Sequence, residues 1–160
     1  EPPGQRQRHR PESVWRIALM AMPPASPGKS ITCPCGRLSG RHVPLAFDAC
    51  CGRYIDHFDT CPAPDAESLM RSRYSAFVRE QGDYLQATWH ASTRPATLDF
   101  ELDARWLGLE VRSHHVLDAE RAEVEFVARY RVAGRAVRLH ERSRFVREGG
   151  RWYYLEGDQF

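Results

Sequence analysis

Lysine is almost missing from this sequence. Lys29 is the only one, so the 23 basic Lys and Arg residues are nearly all arginine. That bias reads as genome composition more than function, although arginine also favours bidentate contacts with carboxylate and phosphate. Excess charge is missing too: the net charge is +2, which demands no nucleic-acid partner. No apolar run approaches the length needed to cross a bilayer, so a membrane is not expected. The apolar stretch 15–22 is short and broken by Arg16, which makes a poor signal peptide. There is no internal repeat, glycine-rich phosphate loop, nucleophile elbow or paired-carboxylate motif, so the commonest phosphoryl-, acyl- and glycosyl-transfer signatures are absent.

What is there suits a globular chain: 160 residues, 42% hydrophobic and 28% charged, enough for one domain and a small appendage. Residues 1–30 are rich in Pro, Arg, Gln and Ser and read as a disordered segment. Met20 or Met22 is a candidate natural start.

All five cysteines fall between residues 31 and 62, a stretch too poor in apolar residues to bury a core of its own. A metal is the simplest staple for such a segment. The pattern is Cys33-Pro-Cys35-Gly, fourteen intervening residues, then Cys50-Cys51-Gly. Zinc takes four thiolate or imidazole ligands tetrahedrally, and Gly36 permits the tight turn after the first pair. Four thiolates around a divalent ion carry a net −2, which Arg37, Arg41 and Arg53 are placed to offset. The N–H groups of Gly36 and Gly52 are expected as donors to the sulfurs. A disulfide set or buried free thiols are the alternatives. An odd cysteine count and the expected reducing, cytoplasmic setting speak against bridges. His42 and His57 are spare ligands, and Cys61 lies outside the pattern. A four-ligand site is closed, so Zn2+ here is expected to be structural.

From Pro64 the pattern changes. Asp65 caps a helix carrying Met70, Tyr74, Phe77 and Val78 at helical spacing, ending at Gly82. Asp83 caps a second short helix, residues 84–90. Period-two alternation follows. Val124, Phe126, Ala128, Tyr130 and Val132 share one face of a strand, and Val137, Leu139, Glu141, Ser143 and Phe145 one face of the next. Gly134 and the pair Gly149–Gly150 mark turns. Residues 152–156 form the last strand, and Leu107, Leu109 and Val111 begin an earlier one. Helices first and an antiparallel meander after make an α+β fold with the helices on one sheet face.

Glu141 therefore points into the concave side and needs a partner; Arg73 on the first helix is the candidate. The plain reading is a buried ion pair fixing helix to sheet. The sharper one is a polar cluster at the base of a pocket formed by Arg73, Tyr74, Trp89, His90, Glu141 and Ser143. No catalytic residue is assigned. Of His114 and His115, only one can face inward.

The knuckle resembles the SEC-C motif, a cysteine-rich zinc motif. The run Arg71-Ser72-Arg73-Tyr74-Ser75-Ala76-Phe77, then Thr88-Trp89-His90, Trp106-Leu107-Gly108-Leu109, His140-Glu141-Arg142-Ser143-Arg144-Phe145 and Trp152-Tyr153-Tyr154, together resemble the bacterial YchJ family. The resemblance covers roughly residues 31–157. It implies a SEC-C zinc segment at 31–62 followed, over 63–160, by a cone-shaped domain similar to nuclear transport factor 2 (cystatin-like), with no known activity. The family pattern usually has about eight residues between the cysteine pairs rather than fourteen, so an extra loop is expected around residues 42–47. A second, C-terminal SEC-C motif found in many members does not occur before Phe160.

The leading functional expectation is a zinc-stabilised protein-interaction or scaffold module, with a protein, or a second copy of the chain as a homodimer, for a partner. The alternative is a small-molecule-binding enzyme using the concave pocket. Nucleic-acid binding through the arginine face of residues 136–146 is the weakest reading.

Overall fold

In the computed structural model the described residues are 31–160. The disorder expected for residues 1–30 and the candidate starts at Met20 and Met22 lie outside them. The described chain opens with the cysteine segment, which contains a 3-10 turn (Phe47–Ala49) and a short helix α1 (Gly52–Ile55). Helices α2 (Ala66–Val78) and α3 (Gly82–Ala87) follow, then strands β1 (Arg105–Val116), β2 (Arg121–Val132), β3 (Arg135–Glu148) and β4 (Arg151–Gln159). The strands form an antiparallel meander in the order β1-β2-β3-β4. Helix α2 packs across one face, touching β1, β2 and β4.

Asp65 starts α2 as expected, its carboxylate accepting the Ser68 N–H at 2.7 Å. The helix stops earlier than Gly82. Glu80 takes the left-handed conformation (φ 53°), and Gln81 N–H bonds back to Ala76 O at 2.9 Å. That six-to-one closure ends a helix whatever side chain occupies the turn. Gly82 instead opens α3, with Gln81 as its cap in place of Asp83, and α3 ends at Ala87 rather than His90.

The two hairpin turns fall where the glycines place them. Ala133–Gly134 (φ 48° and 76°) and Gly149–Gly150 (φ 56° and 77°) are both left-handed, the geometry that matches strand twist. The inward residues of β2 and β3 also follow the alternation: Val124, Phe126, Ala128, Glu141, Ser143 and Phe145 are buried.

Strand β1 departs from its pattern. Trp106 pairs with Tyr130 and Gly108 with Arg129, so Leu107 is an unpaired bulge residue and is 53% exposed. A bulge reverses the parity of everything before it, and Trp106 takes the inward place. A second bulge at Arg112 turns His114 inward, opposite buried Val124, and leaves His115 exposed. On the outer face Arg142 and Arg144 pair with Glu125, Glu156 and Asp158, so the arginine stripe is largely neutralised. His140, on the same outer face, is mostly covered and bonds Glu125 at 2.7 Å.

The cysteine segment is not a separate layer. Cys33, Cys35, Cys50 and Cys51 belong to the same buried cluster as Leu69, Met70 and Tyr74. No helix among the described residues is long and apolar enough to cross a membrane.

Candidate functional site

Two sites stand out, a thiol cluster and a cavity, on neighbouring stretches of α2.

The cluster is built by a small hairpin. Bridges at Thr32–Ala46 and Leu38–Pro44 pair the two sides of the fourteen-residue spacer, so the extra length is a ribbon rather than an open loop. Cys33 N–H bonds Leu45 O and Leu45 N–H bonds Arg37 O. The hairpin tip carries His42 into solvent, and His57 is exposed too; neither reaches the thiols. The 3-10 turn and α1 then bring Cys50 and Cys51 up from the other side. All four Sγ atoms are buried and lie within 4.8 Å of one another, with Cys33–Cys35 and Cys35–Cys50 at 3.6 Å. A tetrahedron of sulfurs at ~2.3 Å from a zinc ion has edges of ~3.8 Å, so the cluster fits one cation of that size. Cys61 stays outside the group.

Electrostatics point the same way. Hydrogen bonds from Cys35, Cys50 and Cys51 hold the Cys33 thiol far below the ordinary thiol range. Cys51 is pushed far up by Cys33, Cys35 and Cys50 in turn. Left to themselves, four thiols this close share negative charge unequally, and all four ionise together only around a cation.

The groups around the sulfurs differ from the sequence expectation. The donors are the backbone N–H of Cys35, toward Cys33, and of Arg37, toward Cys35. Gly36 N–H goes to Cys33 O instead. Gly52 matters sterically: an added Cβ would stand 2.8 Å from Phe47 O. Arg41 is exposed at the tip. Arg37 reaches Ser68 (2.9 Å) and Glu67 (3.0 Å), and Arg71, which the charge argument overlooked, donates to Cys35 O at 3.1 Å. These bonds and the Cys33 Sγ–Ser75 Oγ contact at 3.6 Å clamp the cluster onto α2.

The cavity lies between α2 and the sheet and has a volume of about 430 Å³. Five of the six residues proposed for a pocket line it: Arg73, Tyr74, Trp89, Glu141 and Ser143. His90 is not among them. Trp89 forms a bridge with Tyr154 of β4, and successive residues of extended chain point opposite ways. Trp89 therefore faces the cavity while His90 turns out to Ser92 and Glu148.

The expected Arg73–Glu141 ion pair does not form. Glu141 Oε1 accepts from Ser143 Oγ (2.7 Å) and Tyr154 Oη (3.0 Å), and its side chain lies against Gly157, where an added Cβ would stand 2.6 Å from the carboxyl carbon. Arg73 Nη1 donates to Leu85 O (2.8 Å) and Thr88 Oγ1 (2.7 Å). Its guanidinium lies 5.1 Å from the Trp89 ring centroid and 4.7 Å from that of Tyr154. Burial pulls it down to about 10, against the pull of Tyr154, Tyr84 and Glu141, so it stays charged at neutral pH. Tyr154, placed from sequence only in the last strand, is the link between the two charged groups. Its inward position beside Phe145 follows from the β3–β4 register, the one signal that could have placed it.

Burial raises Tyr74 and Tyr84 from 10 to about 12. An acid whose folded pKa lies above its unfolded value stabilises the fold fully below the lower value and loses that contribution as pH climbs through the upper one. Denaturant unfolding followed at rising pH should therefore show stability falling from about pH 10 towards 12. A curve flat across that window would contradict the burial of these phenols.

Comparison with known proteins places these features in a family. The model of the YchJ middle domain, similar to nuclear transport factor 2, matches residues 65–157. A UPF0225 protein of Polaromonas sp. (strain JS666) is 68% identical over 127 residues, covering 79% of this chain and 91% of the relative. A second, from Polaromonas naphthalenivorans, is 66% identical over 134 residues, covering 80% and 97%. Among solved structures, a SEC-C motif containing protein from Psychrobacter arcticus matches with a TM-score of 0.67 at 34% identity, covering 79% of this chain and 82% of that one. Another, from Rhodopseudomonas palustris, matches with a TM-score of 0.67 at 32% identity, covering 81% and 99%. A buried four-cysteine cluster ahead of an α+β domain of this topology, with relatives at this identity, means that the chain belongs to the YchJ family.

Proposed function

We propose that this protein binds a small molecule in the cavity between α2 and the sheet, and that its four cysteines hold a structural zinc ion. The cavity carries the reading. Its ~430 Å³ falls within the roughly 300–1,000 Å³ of small-molecule sites, and it combines aromatic walls with a few polar groups at its base. A domain that used its concave face only for packing would fill it. Zinc is favoured by the all-thiolate, tetrahedral donor set, and a site with four protein ligands leaves no position for a substrate. Five free thiols also suit a reducing compartment such as the cytoplasm.

Thermal-shift screening of the metal-loaded full chain against a metabolite library tests this. Binding compounds should raise the midpoint in proportion to their affinity, and the cavity-blocking Leu139→Trp should abolish every shift. A library without hits, or hits unaffected by Leu139→Trp, would sink the proposal.

A second reading, an interaction module, is supported by Ile31, Leu38 and Val43, which are exposed on and beside the knuckle hairpin. Pull-down from native lysate with Leu38→Ser/Val43→Ser against wild type tests it; identical captured partners would remove its support.

A further inference from the structure

The cavity's polar atoms are unevenly satisfied, and the pattern of what is left over describes a ligand. Arg73 spends Nη1 on two bonds, while Nε and Nη2 make none with the described residues. Trp89 Nε1–H is buried and has no partner among the described residues. Both are donors, and one is charged. Glu141 offers the opposite: Oε1 takes both of its bonds, and Oε2 accepts none from the described residues. No carboxylate among the described residues lies within ion-pair distance of Arg73, although buried charges are ordinarily paired. Its partial compensation comes from Glu141 at longer range and from the ring faces of Trp89 and Tyr154. The base of the cavity thus presents separated plus and minus sites, each with unused hydrogen-bonding capacity.

The mouth adds a filter. Glu80, Asp99 and Glu101 are exposed and line the entrance, and Arg73 is the only cation among the described lining residues. A simple carboxylic acid reaching Arg73 must pass three carboxylates of its own sign. A simple amine passes freely but then leaves Arg73 without a partner at the base. A molecule of zero net charge, with its charges separated, meets neither penalty. Phe77, Phe100, Trp106 and Tyr130 leave an aromatic wall above the polar base.

We propose that the cavity recognises the zwitterionic head of a free α-amino acid with a large apolar side chain. The carboxylate takes the spare donors of Arg73, the ammonium takes Glu141 Oε2, and the side chain lies against the aromatic wall. The proposal rests on the cavity's being a ligand site.

Calorimetric titration of the metal-loaded full chain with L-leucine, L-phenylalanine and L-tryptophan tests it, with tryptamine and indole-3-propionate as the two head-group deletions. At least one amino acid should bind, and for tryptophan each deletion should weaken binding by about tenfold or more, since a hydrogen bond to a charged group contributes ~1.5–3 kcal/mol. Glu141→Gln should erase the advantage of tryptophan over indole-3-propionate, and Arg73→Lys, which keeps the charge, should retain part of the carboxylate preference. Circular dichroism of both variants confirms that they fold. Equal binding of tryptophan and its deletions, or of all probes to Glu141→Gln and wild type, overturns the zwitterion assignment but leaves the cavity a ligand site. No amino acid binding while a library compound does has the same consequence. Silence from both probes and library overturns the two readings together.

Discussion

Replacing Cys50 and Cys51 by serine should strip the metal from the protein and destabilise the whole chain, not the knuckle alone. Native mass spectrometry should find one zinc per wild-type chain and none in the double variant. The size of the effect follows from how the cluster is attached. A structural zinc site carries an apparent binding free energy of ~10–16 kcal/mol, most of which is spent on ordering the segment that binds it. Here that segment contributes to the common core: Cys33, Cys35, Cys50 and Cys51 are buried with Leu69 and Met70, and Arg37 and Arg71 tie it to α2. Losing even ~4 kcal/mol would lower the thermal midpoint by ~8–16 °C for a chain of this size. Cys61→Ser is the control, because Cys61 lies outside the cluster, and it should retain the metal. A zinc-free double variant with wild-type stability would refute the metal's structural role.

Gly52→Ala should also damage the site, though less, because it removes no ligand and adds one methyl group. The new Cβ would stand 2.8 Å from the Phe47 carbonyl oxygen and 3.0 Å from two atoms of its ring. Phe47 is 5% exposed, and its carbonyl accepts the Cys50 N–H at 3.0 Å, so neither atom can retreat without moving the cysteine. Overpacking of a buried site commonly costs ~1–3 kcal/mol, and a backbone collision belongs at the upper end. The displacement is passed directly to Cys50 and Cys51, so metal retention should fall as well. Urea unfolding and competition with a chelator, each against wild type, read the two effects. Unchanged stability together with unchanged chelator resistance would show that the turn has slack that these distances deny.

Much of this protein was legible before any tertiary contact was known, and the legible parts share a cause. The four-cysteine cluster came from cysteine spacing, the α2 start from Asp65, the hairpins from Gly134 and Gly149–Gly150, and the inward faces of β2 and β3 from alternation. Each is decided within a few residues of chain, by a capping bond, a left-handed turn or the parity of a strand. The inward direction of Glu141 is of this kind.

What failed was decided by partners distant in sequence or by one-residue irregularities. The bulge at Leu107 exchanged it for Trp106, and nothing in Trp106-Leu107-Gly108-Leu109 announces which residue is extra, because the choice depends on pairing with Tyr130 and Arg129. Glu80 closed α2 where no glycine marks the spot. Arg73 and Glu141 were correctly aimed at the same concavity yet not at each other. Tyr154, which follows Glu141 by thirteen residues, bonds Glu141 and stacks on Arg73. The sequence by itself determined which residues gather in the cysteine cluster and which face the concave side, because spacing and parity are properties of the local chain. Only the tertiary structure decided that the concave side remains a cavity, with Arg73 and Glu141 held apart in it. That outcome depends on how far α2 stands from the sheet and on which side chains reach across the gap.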